Sequence, residues 1–262
     1  LNTVSIDGKV SFLPASWDEL TRGQLIYLAG LFRRGLTEVD FRVHLLWRFM
    51  KMKPKMAERI DEEDLWGLTK VFDFIFTDVK LTRNLIHRIG RYMGPSDAMM
   101  NCSFGEFTRV QMRMEDFSRT GEEKYLDEMV AIMYRTKKRM WLLRKRFTET
   151  SDCRVKYIEK DLPARAKKMA KVDHAIKYAV FLFVTGVLCS LPEHFPNVYR
   201  KKGDNEKNPG GWAALIISLA DGKTDDESLD RVFHSNMYNV FMGLEQKAIE
   251  YFRFLKETKQ ND

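Results

Sequence analysis

The run AVFLFVTGVLCSL, residues 179 to 191, constrains the fold more than any other stretch of the chain. Thirteen successive uncharged, mostly apolar residues demand burial, worth roughly 25 cal/mol for each Å² of apolar surface removed from water. They are too few for a membrane-spanning helix, which needs about 20, and Lys177 and Pro192 bracket them. The spacing predicts a helix through the protein core, with Val180, Phe181, Phe183, Val184 and Leu188 inaccessible to water. A chain of 262 residues is long enough to close such a core, as one large domain or two small ones. With 44% apolar and 31% charged residues it falls among folded rather than disordered chains.

Helix punctuation fills most of the remainder. TVSIDGKVSF alternates around Asp7-Gly8, whose residues suit a type I′ turn, and predicts a β-hairpin over residues 3 to 12. Ser16 and Glu19 have capping-box spacing ahead of a helix carrying Leu25, Leu28, Ala29 and Phe32. Thr37 and Asp61 are placed to cap the next two helices, and residues 79 to 93 read as another. Ser103 and Glu106 form a second capping box, and Thr120-Gly121 closes the helix that follows. One long helix is expected from about Ala164 to Ser190. The segment LPEHFPNVYRKKGDNEKNPGG reads as a surface loop, WAALIISLA as a short helix, and a final helix carries Val240, Leu244, Ala248, Tyr251 and Leu255 on one side.

Charge is concentrated in one place. Residues 135 to 171 hold fourteen Lys or Arg against Glu149, Asp152, Glu159 and Asp161, a net of +10 in a chain of net +7. At its head stands RTKKRMWLLRKR. Leu126, Met129, Met133, Thr136, Met140, Leu143 and Phe147 recur at steps of three and four, which predicts one amphipathic helix from about Glu122 through the basic run. The expected class is mainly α: a multi-helix globular protein with a small N-terminal β-hairpin and one long projecting basic helix. Three regions are expected, 1–98, 99–163 and 164–262, or one domain throughout.

Enzymatic signatures are not visible. There is no Gly-rich phosphate loop, no metal-spaced histidine pair and no CxxC. His44, His87, His174, His194 and His234 are scattered, and Asp173-His174 are sequence neighbours that would point to different helix faces. DEED at 61 to 64 suits a helix N-terminus, and DGKTDDE at 221 to 227 lacks calcium-loop ligand spacing. Cys102, Cys153 and Cys189 match no disulfide or zinc framework, so free thiols in a reducing compartment are expected. Cys153 beside Arg154 reads as an ordinary surface thiol. No signal peptide is visible, and a soluble, cytoplasmic protein is expected. Of the five tryptophans only Trp141 stands among clustered cations. No catalytic, metal or cofactor site is assigned.

Three stretches occur together in order: PASWDELTRGQLIYL, SFGEFTRVQMRMEDFSRTGEEKYLDEMVAIMYR, and GWAALIISLADG with MYNVFMGLEQKA. This combination resembles a group of tailed-phage and prophage proteins of the Bacteroidota, usually placed among tail genes as tail-assembly or minor structural proteins. The likeness spans most of the chain, and its motifs are helix caps and core residues. It implies a non-enzymatic tail-assembly or virion protein whose partners are other phage tail or virion proteins, acting in the host cytoplasm during assembly or retained in the virion. Members of that group often carry proline after the Tyr-Arg pair, where this chain has Tyr134-Arg135-Thr136. Its loss removes an expected helix break. The resulting arm, carrying Arg135, Lys137, Lys138, Arg139, Trp141, Arg144, Lys145 and Arg146, is the candidate docking surface for an acidic partner. The alternative is a nucleic-acid-associated protein that grips phosphates through residues 135 to 171. A solvated helix face is the plain reading of the same residues. No membrane partner and no cofactor are expected.

Overall fold

The computed structural model describes residues 1–6, 9–51, 61–138, 151–200, 211–220 and 222–260. Ten α-helices run through these residues, beside a two-stranded N-terminal sheet and a small three-stranded one. The mainly helical class expected from the periodicity is therefore what the chain adopts. Contacts divide it into two compact units, one of residues 1–86 with 172–189, the other of residues 87–171 with 190–262. Each unit thus draws on two separated stretches of sequence.

The first unit begins with strands β1 (Asn2–Ile6) and β2 (Lys9–Leu13), paired antiparallel with Val4 opposite Ser11. The turn at Asp7-Gly8 lies outside the described residues. Ser16 precedes only a short 3₁₀ turn, Trp17–Glu19, and makes no side-chain cap. The capping box sits five residues later, where Thr21 and Gln24 exchange bonds to start α1 (Arg22–Phe32). Glu19 instead binds the Leu1 nitrogen and the backbone N–H of Ala15. Thr37 caps α2 (Glu38–Met50), as its hydroxyl predicts, by accepting from the Asp40 N–H. Asp61 precedes α3 (Glu62–Thr69).

The apolar run lies in helix His174–His194, whose N-terminal part belongs to this first unit. Val180, Phe183, Val184 and Val187 are buried, whereas Phe181 and Leu188 keep partial exposure. The helix is long and apolar enough to cross a membrane by length and composition, and half of its most apolar window is buried within the fold. Gly186 is a packing requirement: a Cβ there would run into the Leu81 backbone. That segment is held from outside by Asp18, whose carboxylate accepts from the Thr82 N–H, the Thr82 hydroxyl and the Arg83 N–H.

The second unit departs from expectation at both of its first elements. Residues 79 to 93 form no helix. They run irregularly into a tight hairpin, β3 (Arg88–Ile89) and β4 (Tyr92–Met93), turning at Gly90 with φ +54°. Glycine accepts that left-handed value without the Cβ clash other residues suffer. After it come α4 (Phe104–Thr120), closed by Gly121 at φ +68°, and α5 (Glu123–Met133). β5 (Arg135–Thr136) joins β4.

The expected 164-to-190 helix is two helices. α6 (Leu162–Met169) ends before Asp173, and the next starts afresh at α7 (His174–His194), with the Asp173 carboxylate accepting from the Ala175 N–H. α8 (Gly211–Leu219), α9 (Asp226–His234) and α10 (Met237–Gln260) complete the unit. Its core is aromatic: Phe107 and Phe195 each pack on Phe241 with ring centroids 5.2 Å apart. Asp225 caps α9 through the Ser228 N–H, so DGKTDDE ends as a capped helix start.

Candidate functional site

The segment that sequence periodicity makes helical stops being helical where the basic run begins. α5 ends at Met133, and Tyr134 is already extended at φ −99°, ψ 110°. No proline is needed for this. Residues 129 to 135 are all buried, which leaves MVAIMYR no face to turn towards water. A helix end buried in this way exposes four unpaired carbonyls to a dry interior, a costly arrangement unless each finds a donor.

All four find one. Val130 O accepts from the Tyr134 N–H at 2.8 Å. Ala131 O accepts from Arg165 Nε at 3.1 Å, Ile132 O from Arg135 Nη1 at 2.7 Å, and Met133 O from Arg154 Nη1 at 2.7 Å. Three guanidiniums thus cap one helix, at the end where the dipole favours positive charge. This is the physical use of cations immediately after a buried helix.

Two of those guanidiniums are themselves fully buried and meet two carboxylates in a closed ring. Arg135 Nη2 lies 2.7 Å from Glu106 Oε1 and 3.0 Å from Asp152 Oδ2. Arg154 Nη2 lies 3.2 Å from Glu106 Oε2, and its Nε lies 2.7 Å from Asp152 Oδ1. Two positive and two negative groups leave the ring neutral, the condition under which buried charge is tolerable. Arg135 Nε also donates to Val155 O at 2.8 Å, and Arg154 Nη2 to Asn101 O at 3.2 Å. Burial would lower the Arg154 pKa, but the neighbouring Cys102, Glu106 and Asp152 hold it above its ordinary value.

Cys102 stands 3.6 Å from Arg154 Nη2, yet it is no activated thiol. Burial outweighs the guanidinium and pushes its pKa up to about 12. All three cysteines are free, with Cys102 buried, Cys153 half-buried and Cys189 exposed. Among the described residues no group of three His, Cys, Asp or Glu is placed to hold a metal ion. The ring's polar groups are spent on one another and on backbone, so what it can do is hold geometry.

The geometry it holds is a stem. Val155 N–H donates to Thr136 O at 2.9 Å and Lys138 N–H to Cys153 O at 2.8 Å, so residues 136–138 run antiparallel to 153–155. Lys138 and Asp152, on either side of residues 139–150 in sequence, therefore stand next to each other on the stem. Of the eight residues expected on a helical docking arm, Arg135 is corrected outright: it is a fully buried core cation in a strand. Lys137 and Lys138 are exposed on the stem, where Lys138 Nζ donates to Asp152 O. Arg139, Trp141, Arg144, Lys145 and Arg146 lie outside the described residues. A helix continuing from Glu122 through Thr136 does not occur.

Sequence reasoning missed Glu106, Asp152 and Arg154 as partners of Arg135. Glu106 was spoken for by the capping box, and half of that box forms: Ser103 Oγ accepts from the Glu106 N–H at 3.2 Å. Its carboxylate instead turns to Arg135 and Arg154. One signal was available, the unbroken MVAIMY run before a charged residue, which fits an enclosed helix end better than an amphipathic helix continuing outward. Comparison with protein-family models, with curated proteins and with solved structures finds no match.

Proposed function

We propose that this protein is a non-enzymatic tail-assembly or virion component of a phage or prophage, and that it acts by protein–protein contacts through the segment rooted in the arginine ring. The observation that carries the reading is how the cations are divided. Arg135 and Arg154 are neutralised inside the unit, while Lys137 and Lys138 are exposed on the stem. Arg139, Trp141, Arg144, Lys145 and Arg146 follow next in sequence. Clustered cations around a tryptophan suit an acidic partner surface with an apolar pocket, since Trp and Arg dominate binding energy at interfaces. Such charge mainly sets encounter rate and orientation. The likeness to phage tail proteins, carried by residues 14–28, 103–135, 211–222 and 237–248, supplies the biological setting.

The test is a pull-down of individually expressed phage tail proteins at physiological salt. Reversing Arg139, Arg144 and Lys145 to Glu should abolish capture while leaving the circular dichroism spectrum and Tm of the protein unchanged. Partner capture that survives the triple change overturns the docking role. Loss of nucleic-acid retention with capture intact gives the segment to the alternative, a phosphate grip.

A further inference from the structure

A second set of cations lies outside that segment, gathered at one end of the three-stranded sheet. β4 pairs with β5 through Tyr92 opposite Thr136 and Met93 opposite Arg135. The same register places Arg91 and Lys137 one step further on, at the hairpin end. Arg91 lies over the Tyr92 ring, 5.3 Å from its centroid. Lys168 of α6 reaches the same phenol. Burial alone would raise the Tyr92 pKa, but the hydrogen bond from Arg91 and the charges of Lys168 and Arg91 hold it below its ordinary value. Arg88 folds back over the turn, its Nε donating to Gly90 O.

Arg88, Arg91, Lys137 and Lys168 are all exposed. Among the described residues none of the four forms an ion pair with a carboxylate, although Arg109, Arg113 and Arg119 in the same unit are paired. Four exposed cations without an ion-pair partner among the described residues, two of them at one phenol, repel one another and gain most from an external polyanion. The face is also without an apolar centre: no large hydrophobic side chain is exposed at residues 87–93, 135–138 or 162–171. A protein interface core is depleted of charge and built on buried aromatic or aliphatic anchors. A sugar–phosphate backbone asks for the reverse, positive charge spread over a polar surface.

We propose that the sheet end formed by Arg88, Arg91, Tyr92, Lys137 and Lys168 is a sequence-independent binding site for the phosphate backbone of a nucleic acid. It takes phosphates through the four cations, with the Tyr92 hydroxyl as a neutral donor beside them. The site does not rest on the tail-assembly reading, because it uses residues outside the segment proposed to dock on protein, save for Lys137 at its root.

The experiment uses the full chain and two unrelated fluorescent DNA duplexes of about 20 base pairs, followed by anisotropy across a salt series. The wild type is expected to bind both duplexes equally, with log affinity falling linearly in log salt. R88E/R91E/K168E should weaken binding at least about tenfold and reduce the magnitude of the salt slope by about two to three, near 0.9 for each lost phosphate contact. Circular dichroism and Tm check that the variant folds, and R88Q/R91Q/K168Q serves if the reversals disturb it. R139E/R144E/K145E, assayed alongside, separates this face from the basic segment. Binding that neither sheet variant changes overturns the proposal, as does a wild type that binds neither duplex. Stronger binding of poly-L-glutamate than of DNA, lost in the same variant, makes the face a protein-docking surface and overturns it too. Tail-protein capture lost only in the segment variant leaves the tail-assembly reading standing whatever the DNA result.

Discussion

Arg42 in the first unit and Arg154 in the second are both buried guanidiniums, yet their partners differ in kind. Arg42 reaches outward to Glu38 and Asp73, whose side chains are 56% and 62% exposed, lies over Phe76 at 4.1 Å and makes one bond inward, to Thr69 O. Arg154 reaches inward to Glu106 at 5% and Asp152 at 22%, and to backbone carbonyls of the core. One cation is anchored at a rim where water and salt screen its charges. The other is part of the interior's own charge balance. A rim pair can be broken and rehydrated, but a member of a closed ring cannot leave without stranding the rest. Tyr157 adds a third case, since its buried hydroxyl has no hydrogen-bond partner among the described residues.

The largest effect should come from breaking the ring. Arg154→Ala leaves Glu106 with an unmatched charge and Met133 O without its donor, and should cost about 3–5 kcal/mol in denaturant unfolding. A loss under about 1 kcal/mol would mean that the ring is no more integral than a rim pair. Arg42→Ala should cost less, about 1–2 kcal/mol, made up of lost stacking on Phe76, weak, screened ion pairs and the bond to Thr69 O. Part of that loss should shrink at high salt, whereas the Arg154 loss should hardly change. An Arg42 effect as large and as salt-insensitive as that of Arg154 would erase the distinction. The smallest change is expected at Tyr157. Tyr157→Phe removes a hydroxyl with no partner among the described residues and should leave Tm unchanged or raise stability by up to about 1 kcal/mol. A marked loss would reveal a partner for that oxygen.

What the sequence disclosed and what it hid divide along chain distance. Thr37 as a cap and Gly121 as a helix stop are local chemistry, and both are where their residue types place them. The core role of Val180, Phe183 and Val184 follows from the apolar run alone. The ring could not be read so directly, because Glu106 lies 48 residues from Arg154 and no local pattern marks their meeting. The helix expected through residue 147 misled for a related reason. Apolar residues at steps of three and four also occur by default within an unbroken apolar run, so MVAIMY satisfied the helical pattern while belonging to an enclosed helix end. Charge clustering was legible as composition, but which cations face inward was not.

The ring also has a consequence for how the stem is aligned. Arg135 and Arg154 fasten the two ends of the stem separately, each to Glu106, to Asp152 and to backbone of the same unit. Each strand of the stem therefore has its own anchor, and its register follows from the ring as well as from the pairing between the strands. A one-residue slip of either strand would withdraw a guanidinium from both carboxylates at once, so the ring acts as a register key for the stem.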